Sequence, residues 1–259
     1  MTHSSTLINH HNWHDLSVQY KDTKPFNHVV IDNFWESSIA EQLATDFPKY
    51  DNHTIWTAHY KNPVEDKKSC NHWDKFPATT YQAFNYLNSP SFLNLLEIVV
   101  DDVGIFPDVG LHGGGWHAHQ QGGKLNVHLD YSIHPKLKSE RKYNLIIYMT
   151  PDWNPAWGGG LELWSHDPVS NKPRQCEKTI ENKFNRAVIF DTTQNSWHGL
   201  PKDLQCPLGV IRQSMAVYYL IQPTLTAPVR PRAKFAPYQD QASNPEILDF
   251  IEKRGSITT

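Results

Sequence analysis

Short segments in which apolar and polar residues alternate fill the chain from about residue 110 to residue 221. Alternation places successive side chains on opposite faces and is typical of β-strands with one buried face. Eight short strands punctuated by glycine, proline and asparagine indicate a small sandwich or barrel. The predicted strands cover residues 115–120, 124–130, 143–149, 161–164, 178–180, 186–190, 196–200 and 212–221.

The first hundred residues have a helical pattern. Residues 27–32 read as a short strand, and Ile39, Leu43 and Phe47 then recur at helical spacing up to Pro48. The stretch between that helix and residue 79 is rich in Lys, Asn and Asp and is expected to be loop. Residues 1–25 are polar and are expected to be irregular. Further helices are predicted at residues 79–87, 91–100 and 244–254, and we expect the N-terminal ones to brace a sheet.

The amino-acid composition limits the classes of protein to which the chain could belong. Of the 259 residues, 39% are hydrophobic and 12% aromatic, which fits a folded domain. A net charge of −3 argues against a nucleic-acid or anionic-membrane binder. The N-terminal segment has no apolar run, so no signal peptide or membrane span is expected. Cys70, Cys176 and Cys206 form no CxxC motif and suggest reduced thiols in a cytoplasmic protein.

The candidate chemistry begins with His128-Leu129-Asp130. With 15 His and 17 Asp in the chain, chance alone supplies about one His-x-Asp triplet, and residues 72–74 form a second. Only His128 and Asp130 lie in an alternating strand, which puts both side chains on one face, able to reach one metal ion. We therefore interpret residues 72–74 as loop.

Two later strands supply further candidates. His198 lies 68 residues after Asp130, behind an apolar strand. Two imidazoles and one carboxylate form the ligand set of non-haem Fe(II) oxygenases. Arg212 interrupts an otherwise apolar strand and shares a face with Ser214, so both side chains could bind one carboxylate of a ligand. A salt bridge from Arg212 to an Asp or Glu of the protein is the alternative interpretation.

His128-x-Asp130, His198 and Arg212-x-Ser214, in this order, resemble the 2-oxoglutarate- and Fe(II)-dependent oxygenase superfamily, and the surrounding sequence is most similar to its prolyl-hydroxylase-type branch. Residues 143–149, Asp152-Trp153 and residues 158–163 are similar to the family's third strand, the loop that follows it and its glycine-led fourth strand. The resemblance covers residues 105–221.

The resemblance implies an α+β, mainly β fold: a double-stranded β-helix (jelly-roll or cupin-like) core braced by N-terminal helices. It divides a single catalytic domain, residues 1–259, into N-terminal support (1–104), core (105–221) and C-terminal extension (222–259). Iron would be held by His128, Asp130 and His198, which are also the expected catalytic residues. The cosubstrate residues it implies are Arg212, Ser214, Tyr148 and Asn144.

The implied reaction is hydroxylation of an unactivated C–H of a small molecule or a peptidyl side chain, with proline the default. It would be coupled to conversion of 2-oxoglutarate and O₂ to succinate and CO₂, with ascorbate an optional reductant. Because Asp130 is present, hydroxylation is favoured over halogenation. Two alternatives stay open: a cupin-type metal-binding barrel, such as an isomerase or another dioxygenase, and a non-catalytic binding module. Arg212-x-Ser214 argues against the first, and the intact ligand set against the second.

A few other residues could be interpreted as functional. His117 and His119 have strand spacing and could line the substrate or cosubstrate pocket, and Trp157 is the tryptophan most expected to meet substrate. The glycine triplets at 113–115 and 158–160 lack the strand–helix context of phosphate loops and are interpreted as turns. The basic cluster of Lys136, Lys138, Arg141 and Lys142 is expected to be a solvated loop, and its position beside the metal strand also suggests a lid.

Overall fold

The computed structural model of the protein describes residues 7–225 and 227–256. Within these ranges lie five α-helices: α1 Trp13–Asp22, α2 Ser37–Asp46, α3 Ala78–Leu87, α4 Pro90–Val100 and α5 Pro245–Ser256. The strands of the same ranges are β1 His28–Ile31, β2 Ala58–Asn62, β3 Glu65–Cys70, β4 Phe106–Pro107, β5 Gly115–His119, β6 Lys124–Leu129, β7 Glu140–Tyr148, β8 Leu161–Asp167, β9 Lys172–Ile180, β10 Arg186–Asp191, β11 Trp197–Leu200, β12 Arg212–Ile221 and β13 Lys234–Phe235. No helix in the described ranges is long and apolar enough to cross a membrane.

All strands join one curled antiparallel sheet, in the order β1-β10-β7-β12-β5-β3-β6-β11-β8-β9. β2 pairs with β3, β4 with β12, and β13 with β6. Each of the eight predicted strands is present, although β7 begins three residues earlier than expected and β9 six residues earlier. The mainly β double-stranded β-helix with bracing helices is therefore confirmed.

The helices cover the outer face of the sheet. Side chains alternate between the two faces along β7 and β12, so Leu145 and Val217 pack with the helices in the main hydrophobic core. The neighbours Asn144 and Tyr218 face the inside of the curl and line a cavity. The helices thus stabilise the sheet from outside and leave its inner face free for polar groups.

Helix α1 contradicts the prediction of an irregular N-terminal segment within its described part. Its buried face consists of Leu16, Ser17 and Tyr20, and Asn12 caps its first turn by accepting a hydrogen bond from the Asp15 amide. Trp13, Leu16 and Tyr20 recur at helical spacing, but the helix is otherwise polar apart from the exposed Val18, so its pattern in the sequence is weak. Packing against α4 stabilises the helix.

The hairpin of β2 and β3 corrects the loop predicted between the helix that ends at Pro48 and residue 79. β3 pairs with β5 at one end and with β6 at the other, which joins the two halves of the sheet. Gly115 allows this approach, because a Cβ there would lie 2.1 Å from the carbonyl oxygen of Cys70. Residues 65–69 are charged or polar because Glu65, Lys67 and Ser69 line the polar cavity. The usual apolar alternation of a strand is therefore missing.

The basic cluster that follows β6 is only partly a solvated loop. Lys136 and Lys138 are exposed between β6 and β7, as expected. Arg141, however, is 1% exposed and lies within β7, and Lys142 pairs with Asp102 at 2.7 Å. A register shift between Tyr219 and Leu220 of the β7–β12 ladder brings Arg141 to the cavity side instead of the core side that Tyr143 occupies.

Candidate metal centre and cosubstrate pocket

A cavity of about 710 Å³ opens inside the curled sheet. His128, Asp130 and His198 lie at one part of it, which we call the metal end. Arg212 and Ser214 lie at another part, which, together with Tyr148 and His119, we call the anchor end. The structure thus brings residues separated by more than 80 positions in the chain into one site.

The metal end brings together two imidazoles and one carboxylate. β6 and β11 pair with His128 directly opposite His198, and Asp130 follows the end of β6. The Nε2 atoms of His128 and His198 lie 3.7 and 3.8 Å from the Asp130 carboxylate. One ligand atom from each residue lies within 4.8 Å of the other two, so these side chains could hold one metal ion.

Backbone carbonyls select the imidazole tautomers. Nδ1 of His128 lies 2.9 Å from the carbonyl oxygen of Asn126, and Nδ1 of His198 lies 2.8 Å from that of Ser196. Because a carbonyl only accepts, each Nδ1 carries the hydrogen and donates it. Each Nε2 then presents its lone pair to the site, which is the form that a metal ion requires.

The electrostatics favour the metal-binding protonation states. Burial lowers the pKa of His198 to about 4, so its imidazole is neutral at pH 7. Burial alone would raise the pKa of Asp130, but the adjacent imidazoles and the positive charge of Arg141 outweigh it and hold that pKa below its ordinary value. Tyr218 donates its hydroxyl hydrogen to Asp130 at 3.3 Å, and the Asn144 amide lies 3.5 Å from the other carboxylate oxygen. The donor set of two neutral nitrogens and a carboxylate oxygen fits Fe(II) and leaves open positions on an octahedral ion.

The anchor end is centred on Arg212. This side chain is 3% exposed, and its Nε donates to the carbonyl oxygen of Gly159 at 2.7 Å. A side chain at position 159 would meet Arg212 Cδ at 3.0 Å, so the glycine allows the arginine to lie against the backbone. No carboxylate in the described part of the chain forms an ion pair with Arg212. A buried cation of this kind requires an anion from outside the protein.

Neighbouring groups at the anchor end also lack partners. Ser214 lies between Tyr148 on β7 and His117 on β5, and Arg212 lies opposite His119. The Tyr148 hydroxyl and both ring nitrogens of His119 are buried without a hydrogen-bond partner in the described structure. Burying such polar groups costs free energy unless a ligand forms hydrogen bonds with them. A carboxylate bound by Arg212 would lie within this set, which fits the distal end of 2-oxoglutarate.

The remaining candidate residues differ in where they lie. The Asn144 side chain faces the metal end and does not face Arg212, whereas His117 and His119 both line the cavity. Trp157 does not line the cavity, because it packs edge-on against Trp153, with ring centroids 5.2 Å apart. Residues 72–74 belong to no metal-ligand cluster of the described chain, and Trp73–Lys75 forms a 3₁₀ turn.

Sequence reasoning missed two residues near the metal end. Tyr218 could have been found, because it lies on the same strand face as Arg212 and Ser214. Arg141 could not, because the register shift that turns it inward leaves no mark in the residue pattern. Its guanidinium Cζ lies 3.4 Å from the ring centroids of both Tyr131 and Tyr218.

Residues 114–220 match the 2OG-Fe(II) oxygenase superfamily, a segment that runs from just before β5 to β12 and contains the whole ligand set. Over this segment the chain is similar to that superfamily, whose cofactor is Fe(II) and whose cosubstrate is 2-oxoglutarate.

Among known proteins, the chain is similar to prolyl 3-hydroxylase OGFOD1 of Xenopus laevis, with 29% identity over 73 residues. That stretch is 27% of this chain and 14% of the relative, so the comparison spans a small part of that protein. Two solved structures share the fold. A Pseudomonas putida prolyl-4-hydroxylase has a TM-score of 0.54 and 14% identity, covering 80% of this chain and 99% of that one. A Trichoplax adhaerens prolyl hydroxylase, in complex with a hypoxia inducible factor peptide fragment, has a TM-score of 0.54 and 18% identity, covering 80% and 90%.

Proposed function

We propose that this oxygenase hydroxylates an unactivated C–H bond, with a prolyl side chain in a peptide as the first candidate substrate. The observation that carries the proposal is the presence, in one cavity, of the buried His128–Asp130–His198 cluster and the unpaired cation of Arg212. The similarity to prolyl hydroxylases supports the choice of proline.

In this proposal His128, Asp130 and His198 hold iron, and Arg212 holds the distal carboxylate of 2-oxoglutarate. Ser214, Tyr148 and His119 would complete the polar contacts around that carboxylate. The chemistry that bound iron supplies is the oxidative decarboxylation of 2-oxoglutarate coupled to hydroxylation of the substrate. The protein residues orient the reactants and exclude water from them, which protects the reaction from side products.

We further propose that residues 1–259 act as one catalytic domain and that the protein works in the cytoplasm. The helices α1 to α4 brace the outer face of the sheet that carries the site. The three cysteines are free, and two of them are buried, which is compatible with a reducing compartment.

The test is an anaerobic titration of the protein with Fe(II) and 2-oxoglutarate, followed by admission of air. We expect a weak metal-to-ligand charge-transfer band before air, and succinate after it. A proline-containing peptide pool should then contain species heavier by about 16 Da, the mass of one oxygen atom. A protein that shows neither the band nor succinate would contradict the proposed function. Succinate without a mass shift in any proline peptide would contradict only the choice of proline.

A further inference from the structure

The part of the cavity that serves neither metal nor cosubstrate is strongly basic. Besides the metal end and Arg212, five cationic side chains line it, against the single carboxylate of Glu65. The five are Lys67, Lys136, Arg141, Arg232 and Arg254. The whole chain has a net charge of −3, so this excess of positive charge is local to the cavity.

Glu65 neutralises only a fraction of this charge. Its carboxylate lies 2.5 Å from Nη2 of Arg254 and 3.7 Å from Nζ of Lys67, so two cations share one anion. Lys136, Arg141 and Arg232 form no ion pair with any carboxylate in residues 7–225 and 227–256. These three cations therefore remain available to a ligand.

Arg141 is the cation nearest to the reacting centre. Tyr131 and Tyr218 cover both faces of its guanidinium group, and Nη2 donates to the carbonyl oxygen of His112. Its Nε is buried without a partner. Tyr218, which stacks on Arg141, also donates to Asp130, so the guanidinium is fixed beside a metal ligand.

The geometry also indicates the shape of the missing anion. Because tyrosine rings cover both faces of the Arg141 guanidinium, a ligand can contact only the edge of this group, where its N–H groups donate. A carboxylate is planar and pairs with the edge of a guanidinium through two parallel hydrogen bonds. Lys136 and Arg232 are exposed at the cavity rim, where they would attract negative charge from solvent.

We infer that the substrate is acidic and that one of its carboxylates binds to Arg141, with Lys136 and Arg232 attracting further negative charge at the rim. This inference rests on the proposed hydroxylase function and names its substrate class. The carboxylate could belong to an Asp or Glu side chain of a peptide or to a small acid.

The test measures binding to the protein loaded with Fe(II) and 2-oxoglutarate under anaerobic conditions, where no turnover occurs. The probes are fluorescent peptides of about ten residues with one central proline, flanked by Asp, Asn or Lys and otherwise identical. A small-molecule arm compares N-acetylproline with its methyl ester as competitors. We expect the Asp-flanked peptide, the free acid, or both to bind at least about tenfold more tightly than the Lys-flanked peptide or the ester. The preference should shrink in about 0.5 M salt, which screens exposed charges.

Variants that remove or reverse these positive charges test whether the charges cause the preference for acidic probes. The double variant Lys136→Glu, Arg232→Glu should weaken the preference for acidic probes, and Arg141→Gln should remove the preference that remains. The matched control is Lys172→Glu, Arg174→Glu, which makes the same change in net charge at exposed positions of β9 outside the cavity, and it should keep the preference. Melting temperatures of both variants show whether either change has damaged the fold.

Two results would overturn the inference: equal or tighter binding of the Lys-flanked peptide and the ester, or a preference for acidic probes that survives both the reversal at Lys136 and Arg232 and the substitution Arg141→Gln. Either result with normal succinate formation leaves the hydroxylase function intact. Failure of succinate formation with 2-oxoglutarate is separate and overturns the proposed function instead.

Discussion

The three side chains of the metal end already have partners in the protein, whereas at the anchor end several buried polar atoms have none. His128 and His198 are oriented by backbone carbonyls, and Asp130 accepts a hydrogen bond from Tyr218. By contrast, the Tyr148 hydroxyl and both nitrogens of His119 are unsatisfied. On the proposed assignment, the protein orients its metal ligands by itself, while the anchor end becomes complete only when an anion binds. Changes at the two ends should therefore differ in their effect on the ligand-free protein.

The largest effect is expected from His128→Ala, which removes one of the three proposed metal ligands. Loss of an outer partner of a ligand typically costs about 10- to 100-fold in metal affinity, so loss of the ligand itself should exceed 100-fold. Fe(II) or Co(II) titration followed by optical spectroscopy measures this affinity, and succinate formation should fall below detection. His53→Ala, at an exposed histidine outside the site, is the control. Full metal affinity in His128→Ala would exclude the assigned centre.

Arg212→Gln should weaken 2-oxoglutarate binding by about 10- to 100-fold, because hydrogen bonds to charged groups are worth about 1.5–3 kcal/mol. Metal affinity should stay unchanged. The ligand-free variant should be as stable as the wild type or more stable, because the substitution removes a buried cation that has no counter-ion. Anaerobic titration with 2-oxoglutarate and thermal unfolding measure the two effects. An unchanged affinity would place the anchor elsewhere.

His119→Gln should change how stability depends on pH. Burial, followed by the charges of Arg212 and Lys67, lowers the pKa of His119 well below 6.5. The stability gained from its neutral form is present above pH 6.5 and is lost as the pH falls, because the unfolded chain then binds the proton first. Between pH 7 and pH 5 the wild type should lose up to about 2 kcal/mol more than the variant. Urea unfolding of ligand-free protein at both values provides the comparison, and parallel losses would refute this account.

Tyr148→Phe is expected to have the smallest effect. Removing a hydroxyl that has no partner should cost the ligand-free protein nothing, while 2-oxoglutarate binding should weaken about three- to tenfold. Tyr218→Phe is the useful comparison, because its hydroxyl donates to Asp130 and its loss should act on the metal end. If both variants weakened metal and 2-oxoglutarate binding alike, the distinction between the two ends would not hold.

The alternation of apolar and polar residues predicted which strands carry the candidate site. Alternation placed His128 and Asp130 on one strand face and Arg212 with Ser214 on another, since side-chain direction along a strand has a period of two. The hairpin of β2 and β3 escaped prediction because its charged residues face the cavity and suppress the apolar pattern. Helix α1 escaped prediction because Trp13, Leu16 and Tyr20 are the few apolar residues that mark its packed face in a mostly polar segment.

The sequence by itself determined the residue types of the candidate site, the strands that carry them, and the resemblance to the oxygenase superfamily. Only the tertiary structure decided that Arg212 has no carboxylate partner within the described chain and that His119 and Tyr148 are left unsatisfied beside it. It also decided that Arg141, expected in solvent, lies buried between two tyrosines. Local periodicity is a property of adjacent residues, whereas burial, pairing and a register shift depend on strands that the chain brings together from distant positions.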